Sequence, residues 1–127
     1  MNVTKKIDHI AIICTDYEAA RDFYVEQLGM QVVQETKRSD KQDVKLDLRF
    51  GDLMVELFIK PTAPKRLTYP EAAGLRHLCF KTEDIAADVA ELKAKGIRVE
   101  PIREDELNQR KMTFFFDPDD LPIELHE

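Results

Sequence analysis

The 127-residue sequence lacks a surplus of positive charge: 19 lysines and arginines stand against 25 aspartates and glutamates, for a net charge of −6. Nucleic-acid and membrane-surface proteins present a basic face, so the balance argues against both. No apolar run approaches the roughly 18 residues of a transmembrane helix. The opening "MNVTKKIDHI" passes straight into strand-like sequence, without the apolar region of a signal peptide. The expectation is a cytoplasmic protein. Cysteine is scarce as well. Cys14 and Cys79 form no CxxC pair and no disulfide framework, and read first as two buried thiols.

What is present is repetition. "IDHIAIICTDYEAARDFY" from residue 7 and "LRHLCFKTEDIAADVAEL" from residue 75 match under a shift of 68. The shift carries His9 onto His77, Asp16 onto Asp84 and Ala19 onto Ala87. It also carries Asp52-Leu53 onto Asp120-Leu121 and Glu56-Leu57 onto Glu124-Leu125. Only the helix-closing glycines slip: Gly29 and Gly96 are 67 apart.

Each half reads as βαβββ. Strands are expected at about 6–13 and 75–81, then helices at about 16–28 and 84–95, each ended by glycine at C′. Thr15-x-x-Glu18 has a capping-box pattern, and Ile85, Val89 and Leu92 form one stripe. Three strands follow each helix, at about 30–36, 43–50 and 53–60, and at about 97–103, 112–116 and 121–126. The connector "KPTAPKRLTYPEAAG" carries three of the six prolines. The fold class is therefore α+β: two tandem βαβββ modules, about 1–62 and 70–127, in a single domain over 1–127. One such module buries too little surface alone. Two are expected to form a cupped, half-barrel mixed sheet with the helices outside and a pocket on the concave face.

Strand alternation sends Ile10, Ile12, Val55, Leu57, Ile123 and Leu125 toward the helices. His9, Ala11, Ile13, Glu56, His77, Cys79 and Glu124 then face the cup, while Cys14 faces the helix layer. His126 falls on the Glu124 side of its strand. Each half gives one histidine and, 47 residues later, one glutamate. Two unpaired carboxylates in an apolar cup are costly to ionise. A divalent cation removes that cost, and imidazole with carboxylate suits zinc, nickel, manganese or iron. His9, Glu56, His77 and Glu124 are the candidate metal ligands.

The doubled plan, with "DHIAI", "VELF", "FYVEQLGM", "RHLCF" and "DPDDLPIEL", resembles the vicinal oxygen chelate superfamily. Its two-His, two-Glu set is similar to glyoxalase I, the lactoylglutathione lyase. That resemblance covers nearly the whole chain. It implies one divalent metal per site (nickel or zinc first; manganese, cobalt or iron otherwise). It also implies a lyase that removes a proton beside a chelated carbonyl and turns a hemithioacetal into a thioester, with Glu124 as base and Glu56 assisting. Short bacterial glyoxalases I place arginine and asparagine, four residues after the first histidine and first glutamate, to grip glutathione. Here those positions are Ile13 and Lys60, so the thiol is left open. Lys60, Phe58, Cys79, Phe114 and Lys111, with Arg110 nearby, are candidate substrate-binding residues. The alternatives are an acyl-CoA epimerase, whose family carries glutamine where Glu56 stands, an extradiol-type dioxygenase, or a non-enzymatic ligand-binding resistance protein. In glyoxalase I each site draws on two subunits, and the proline-stiffened connector is long enough to reach a neighbour. The expectation is a homodimer acting on a small molecule; a site closed within one chain remains the alternative.

Overall fold

The computed structural model describes residues 4–127. The chain divides into two compact units, one running to Pro64 and the other from Lys65 to Glu127.

In the first unit β1 (His9–Cys14) is followed by α1 (Tyr17–Arg21). A π-helical continuation, Asp22–Gln27, then leads to β2 (Gln31–Arg38), β3 (Asp43–Phe50) and β4 (Leu53–Ile59). The sheet order is β1-β4-β3-β2, with β1 parallel to β4 and the other pairs antiparallel. In the second unit β5 (Leu78–Lys81), α2 (Ile85–Ala94), β6 (Arg103–Glu104), β7 (Lys111–Phe116) and β8 (Pro122–His126) follow. The order there is β5-β8-β7-β6, again with the first pair parallel. The fold is α+β, built on two four-stranded mixed sheets.

Period-two burial shows which side of each sheet is core. On β4 Val55, Leu57 and Ile59 are buried and alternate with half-buried Met54, Glu56 and Phe58. On β3 Leu46 and Leu48 are buried with them, as are Ala20, Phe23 and Tyr24 of the helical segment. Each large apolar side chain removed from water contributes about 1.5–3 kcal/mol. In the second unit the expected stripe Ile85, Val89 and Leu92 is buried, along with Phe115, Ile123 and Leu125.

Four expectations need correction. The cap of α1 is Asp16, not Thr15: Asp16 Oδ1 accepts from the Ala19 amide at 2.9 Å. Asp84 does the same for Ala87 at 3.0 Å, so the repeated aspartate is the repeated cap. The first helix is not α-helical throughout. Asp16 to Gly29 spans one residue more than Asp84 to Gly96, and a π-helical turn absorbs the extra residue, with Leu28 N–H donating to Phe23 O five residues back at 2.9 Å. Both glycines take φ +80°, as a C′ residue must. The strand expected over 97–103 is reduced to a bridge between Val99 and Phe115 and the two residues of β6. Pro101 has no N–H to offer a ladder there. Finally β1 and β5 begin at residues 9 and 78, so His9 opens its strand and His77 directly precedes one. No described helix is long and apolar enough to cross a membrane.

Candidate metal and substrate site

In the first unit parallel pairing sets His9 beside Met54 and Ala11 beside Glu56. His9 and Glu56 are therefore diagonal neighbours on one face, with Nε2 3.6 Å from Glu56 Oε2. The other ring nitrogen, Nδ1, lies 2.7 Å from Asp8 Oδ2. That hydrogen bond first, and the Glu56 charge second, hold the His9 pKa above its usual value. With Asp8 bonded at Nδ1, Nε2 is the ring nitrogen that faces Glu56, and a carboxylate behind the ring is the support that metal-ligating histidines commonly have. Glu56 Oε1 also faces Lys45 Nζ at 3.6 Å.

The second unit repeats the arrangement. Cys79 pairs with Glu124 where Ala11 pairs with Glu56, and His77 Nε2 lies 3.0 Å from Glu124 Oε1. Arg76 Nη1 approaches His77 Nδ1 at 3.4 Å, too far to fix the tautomer. Arg66 Nη2 donates to the carbonyls of Leu75 and Arg76 at 2.9 and 3.0 Å, pinning the backbone just before His77. Glu124 is buried and lies opposite Phe114 on β7. The Phe114 ring meets His77 edge-on, with centroids 5.1 Å apart. A cavity of about 80 Å³ opens beside them, with Tyr69, Arg103 and Phe116 among its walls.

The sequence-derived candidates fall into distinct settings. Cys14 is buried and Cys79 exposed, which corrects the first reading of two buried thiols: only Cys14 lies on the core side of its strand. Loss of water around the Cys79 sulfur, and then the Glu124 carboxylate, push its thiol up to about 11. Ile13 is exposed on the His9 face. Lys60 is taken up by Asp43, with Nζ to Oδ2 at 2.7 Å. Phe58 follows Glu56 on the open face, between Arg38 and Lys45. Lys111 is exposed at the start of β7, and Arg110 is exposed before it. His126 Nε2 lies 3.3 Å from Asp105, and its Nδ1 2.6 Å from the Glu127 carbonyl. The latter contact first, then Asp105, raise its pKa. Arg38, Asp43 and Lys45 were not among the candidates. The alternation of "DVKLDL" carried the signal: Val44, Leu46 and Leu48 take the core side, leaving Asp43, Lys45 and Asp47 on the face of Glu56.

The donor chemistry fits a divalent cation. Adjacent ligands around an octahedral ion with bonds of about 2.1 Å lie about 3.0 Å apart. The imidazole–carboxylate separation in the second unit matches that edge, and the first unit is within a small side-chain adjustment of it. Each unit supplies one such pair. Among the described residues no group of three or more His, Cys, Asp or Glu side chains stands ready to hold a metal.

Known proteins place this pattern. The chain is 55% identical over 124 residues to the uncharacterized protein YwkD of Bacillus subtilis (strain 168), covering 97% of each. It is 30% identical to an ethylmalonyl-CoA/methylmalonyl-CoA epimerase of Cereibacter sphaeroides, covering 74% of this chain and 73% of that one. The crystal structure of a glyoxalase family protein from Enterococcus faecalis superposes with a TM-score of 0.94 at 52% identity, covering 97% of this chain and 98% of the other. The model of one family matches residues 6–125, and with the two His–Glu pairs already in view it gives the conclusion: the chain belongs to the Glyoxalase/Bleomycin resistance protein/Dioxygenase superfamily.

Proposed function

We propose that the protein is a metal-dependent lyase of the glyoxalase I type, converting a hemithioacetal to a thioester by moving a proton between carbons beside an oxygen-bearing centre. The observation that carries this reading is the duplicated pair, His9–Glu56 and His77–Glu124, each glutamate lying beside the residue two positions after its histidine. All four residues would hold the cation, nickel or zinc in the first place. When bound, a divalent cation supplies the positive charge that makes removal of a proton beside a carbonyl affordable.

The chain's own groups do the rest. Glu124 accepts the proton on its carboxylate and returns it to the neighbouring carbon. Phe114 walls that carboxylate from water, which keeps the transferred proton from exchanging freely. Glu56, with Lys45 beside it, is the assisting carboxylate. Asp8 keeps the His9 ring oriented through Nδ1. Ile13 offers no donor to a carboxylate and Lys60 is engaged by Asp43, so neither supplies the glutathione grip of the short bacterial glyoxalases I and the thiol partner is left open. Each site takes one pair from each of two copies of the chain in a homodimer.

A second reading has its own support. The epimerase relative works on acyl-CoA thioesters by name, and epimerisation needs the same proton removal beside a thioester carbonyl. One panel separates the two. Protein loaded with nickel or zinc is assayed with methylglyoxal plus glutathione, plus other low-molecular-weight thiols, and with a 2-methyl-branched dicarboxylic acyl-CoA. Thiol-dependent thioester formation is the expected result. Turnover of the acyl-CoA alone would transfer the site to epimerisation, and protein that binds no transition metal would end both readings.

A further inference from the structure

Side chains outside the proposed ligand set gather on the open face of the first unit, two positions along β4 from Glu56. Phe58 leaves the strand on the same side as Glu56. The Arg38 guanidinium carbon stands 4.9 Å from the centre of the Phe58 ring, and Lys45 Nζ stands 5.7 Å from it. Asp43 accepts from Arg38 Nε at 2.7 Å, from Arg38 Nη2 at 2.6 Å and from Lys60 Nζ at 2.7 Å. The carboxylate is the buried member of this trio: its side chain is 1% exposed, against 24% for Arg38 and 38% for Lys60. Within this trio the two cations are thus the partly exposed members, while Asp40 acts on Arg38 and Asp47 and Glu56 lie beside Lys45. Lys45 is held more loosely. Its carboxylate neighbours on Asp47 and Glu56 are 3.4 and 3.6 Å away, beyond the roughly 2.7–2.9 Å of a made charge-assisted bond. Its ammonium keeps donors to give.

We infer that Arg38, Lys45 and Phe58 form a subsite for an anionic group of the substrate, a carboxylate or phosphate, with Asp43 and Lys60 holding Arg38 in place. This deepens the proposed function and rests on it for the position of the reacting carbon. Asp43 occupies one edge of the guanidinium, and Nη1 remains on the other for an incoming oxygen. Two residues of strand span about 7 Å, so the acid group sits about that far from the Glu56 carboxylate. The substrate class is a carbonyl compound or thiol adduct carrying an acid group several bonds from the reacting carbon. Uncharged methylglyoxal alone would not use the subsite, whereas an adduct with an acidic thiol would.

The test uses isotopically labelled, metal-free full-length protein and amide NMR, titrated with inorganic phosphate and with succinate at fixed low ionic strength, chloride serving as the salt control. Either probe should shift amides centred on Lys45 and Phe58, with dissociation on the order of 1 mM, and the tighter probe identifies the head group. Lys45→Gln should weaken binding about tenfold. Arg38→Gln strips Asp43 of its main partner and risks the fold, so the half-buried, more loosely held Lys45 carries the test. Absent shifts at these residues, or equal binding by Lys45→Gln, would overturn the subsite. Because the metal is absent, failure of the parent reading shows separately. A protein that binds phosphate here but has no metal-dependent turnover loses the reaction and keeps the subsite.

Discussion

Glu56 and Glu124 occupy equal strand positions among unequal neighbours. Across the sheet Glu56 meets Asp47 and has the Lys45 ammonium near it, whereas Glu124 meets Phe114 and the Cys79 thiol. On the proposed mechanism Glu124→Gln should cut kcat by about 10²–10⁴, the usual worth of a positioned general base. Glu56→Gln should cost less in kcat than Glu124→Gln, measured in the same metal-loaded assay. Asp43 gives a stability test. Hydrogen bonds from Arg38 first, then Lys60, hold its carboxyl far below the usual carboxylate range. A depressed folded pKa adds stability that is full above the unfolded value of about 3.9 and is lost as pH falls below it. Asp43→Asn should therefore melt below the parent protein at pH 7, with the gap closing as pH drops under about 4. A gap independent of pH would mean the carboxylate's charge contributes nothing. Glu56 could be placed from the sequence by counting alternate residues along one strand. Asp43 could be given a face in the same way but not its partners, which come from two other segments, Arg38 across the β2–β3 hairpin and Lys60 beyond β4.

At the scale of elements, the repeat is better preserved in its caps than in its strands. Asp16 and Asp84 each accept from the amide three residues on. Replacing either with alanine should cost about 1 kcal/mol in denaturant unfolding. Thr15→Ala should cost less, since the capping-box pattern at Thr15 is not the cap that forms. The π-helical turn explains the slipped glycine: one more residue between cap and C′ can stay only by widening a turn. The sequence exposes that extra residue, but the choice between a longer loop and a wider turn belongs to packing, which buries Phe23, Tyr24 and Met30 together with the sheet. Likewise the apolar alternation around 97–103 reads as a strand until Pro101 is set in place. Glu100 still bonds to Phe114 through its amide, and the Thr113 hydroxyl caps the Glu100 carbonyl at 2.7 Å. The segment stays beside β7 without extending the ladder.

For the molecule as a whole the proposal is a homodimer whose two sites each combine pairs from different copies. Mixing Glu56→Gln with Glu124→Gln protein tests it. If each site is shared, subunit exchange yields one doubly altered site and one intact site, and activity rises above that of either parent. Exchange shown by mass-tagged subunits without recovered activity would place each site within a single chain. The duplication, the α+β class, the order of strands and helices in each half and the faces of His9, Glu56 and Glu124 are legible in the sequence alone. Those follow from short-range periodicity, in which a side chain's direction is set by its place along one strand or helix. Only the tertiary structure decided that Asp43 binds Arg38 and Lys60, that Lys45 lies loosely between Asp47 and Glu56, and that Phe58 sits between two cations. These contacts join strands distant in sequence, and their distances depend on register and rotamers that no local pattern encodes.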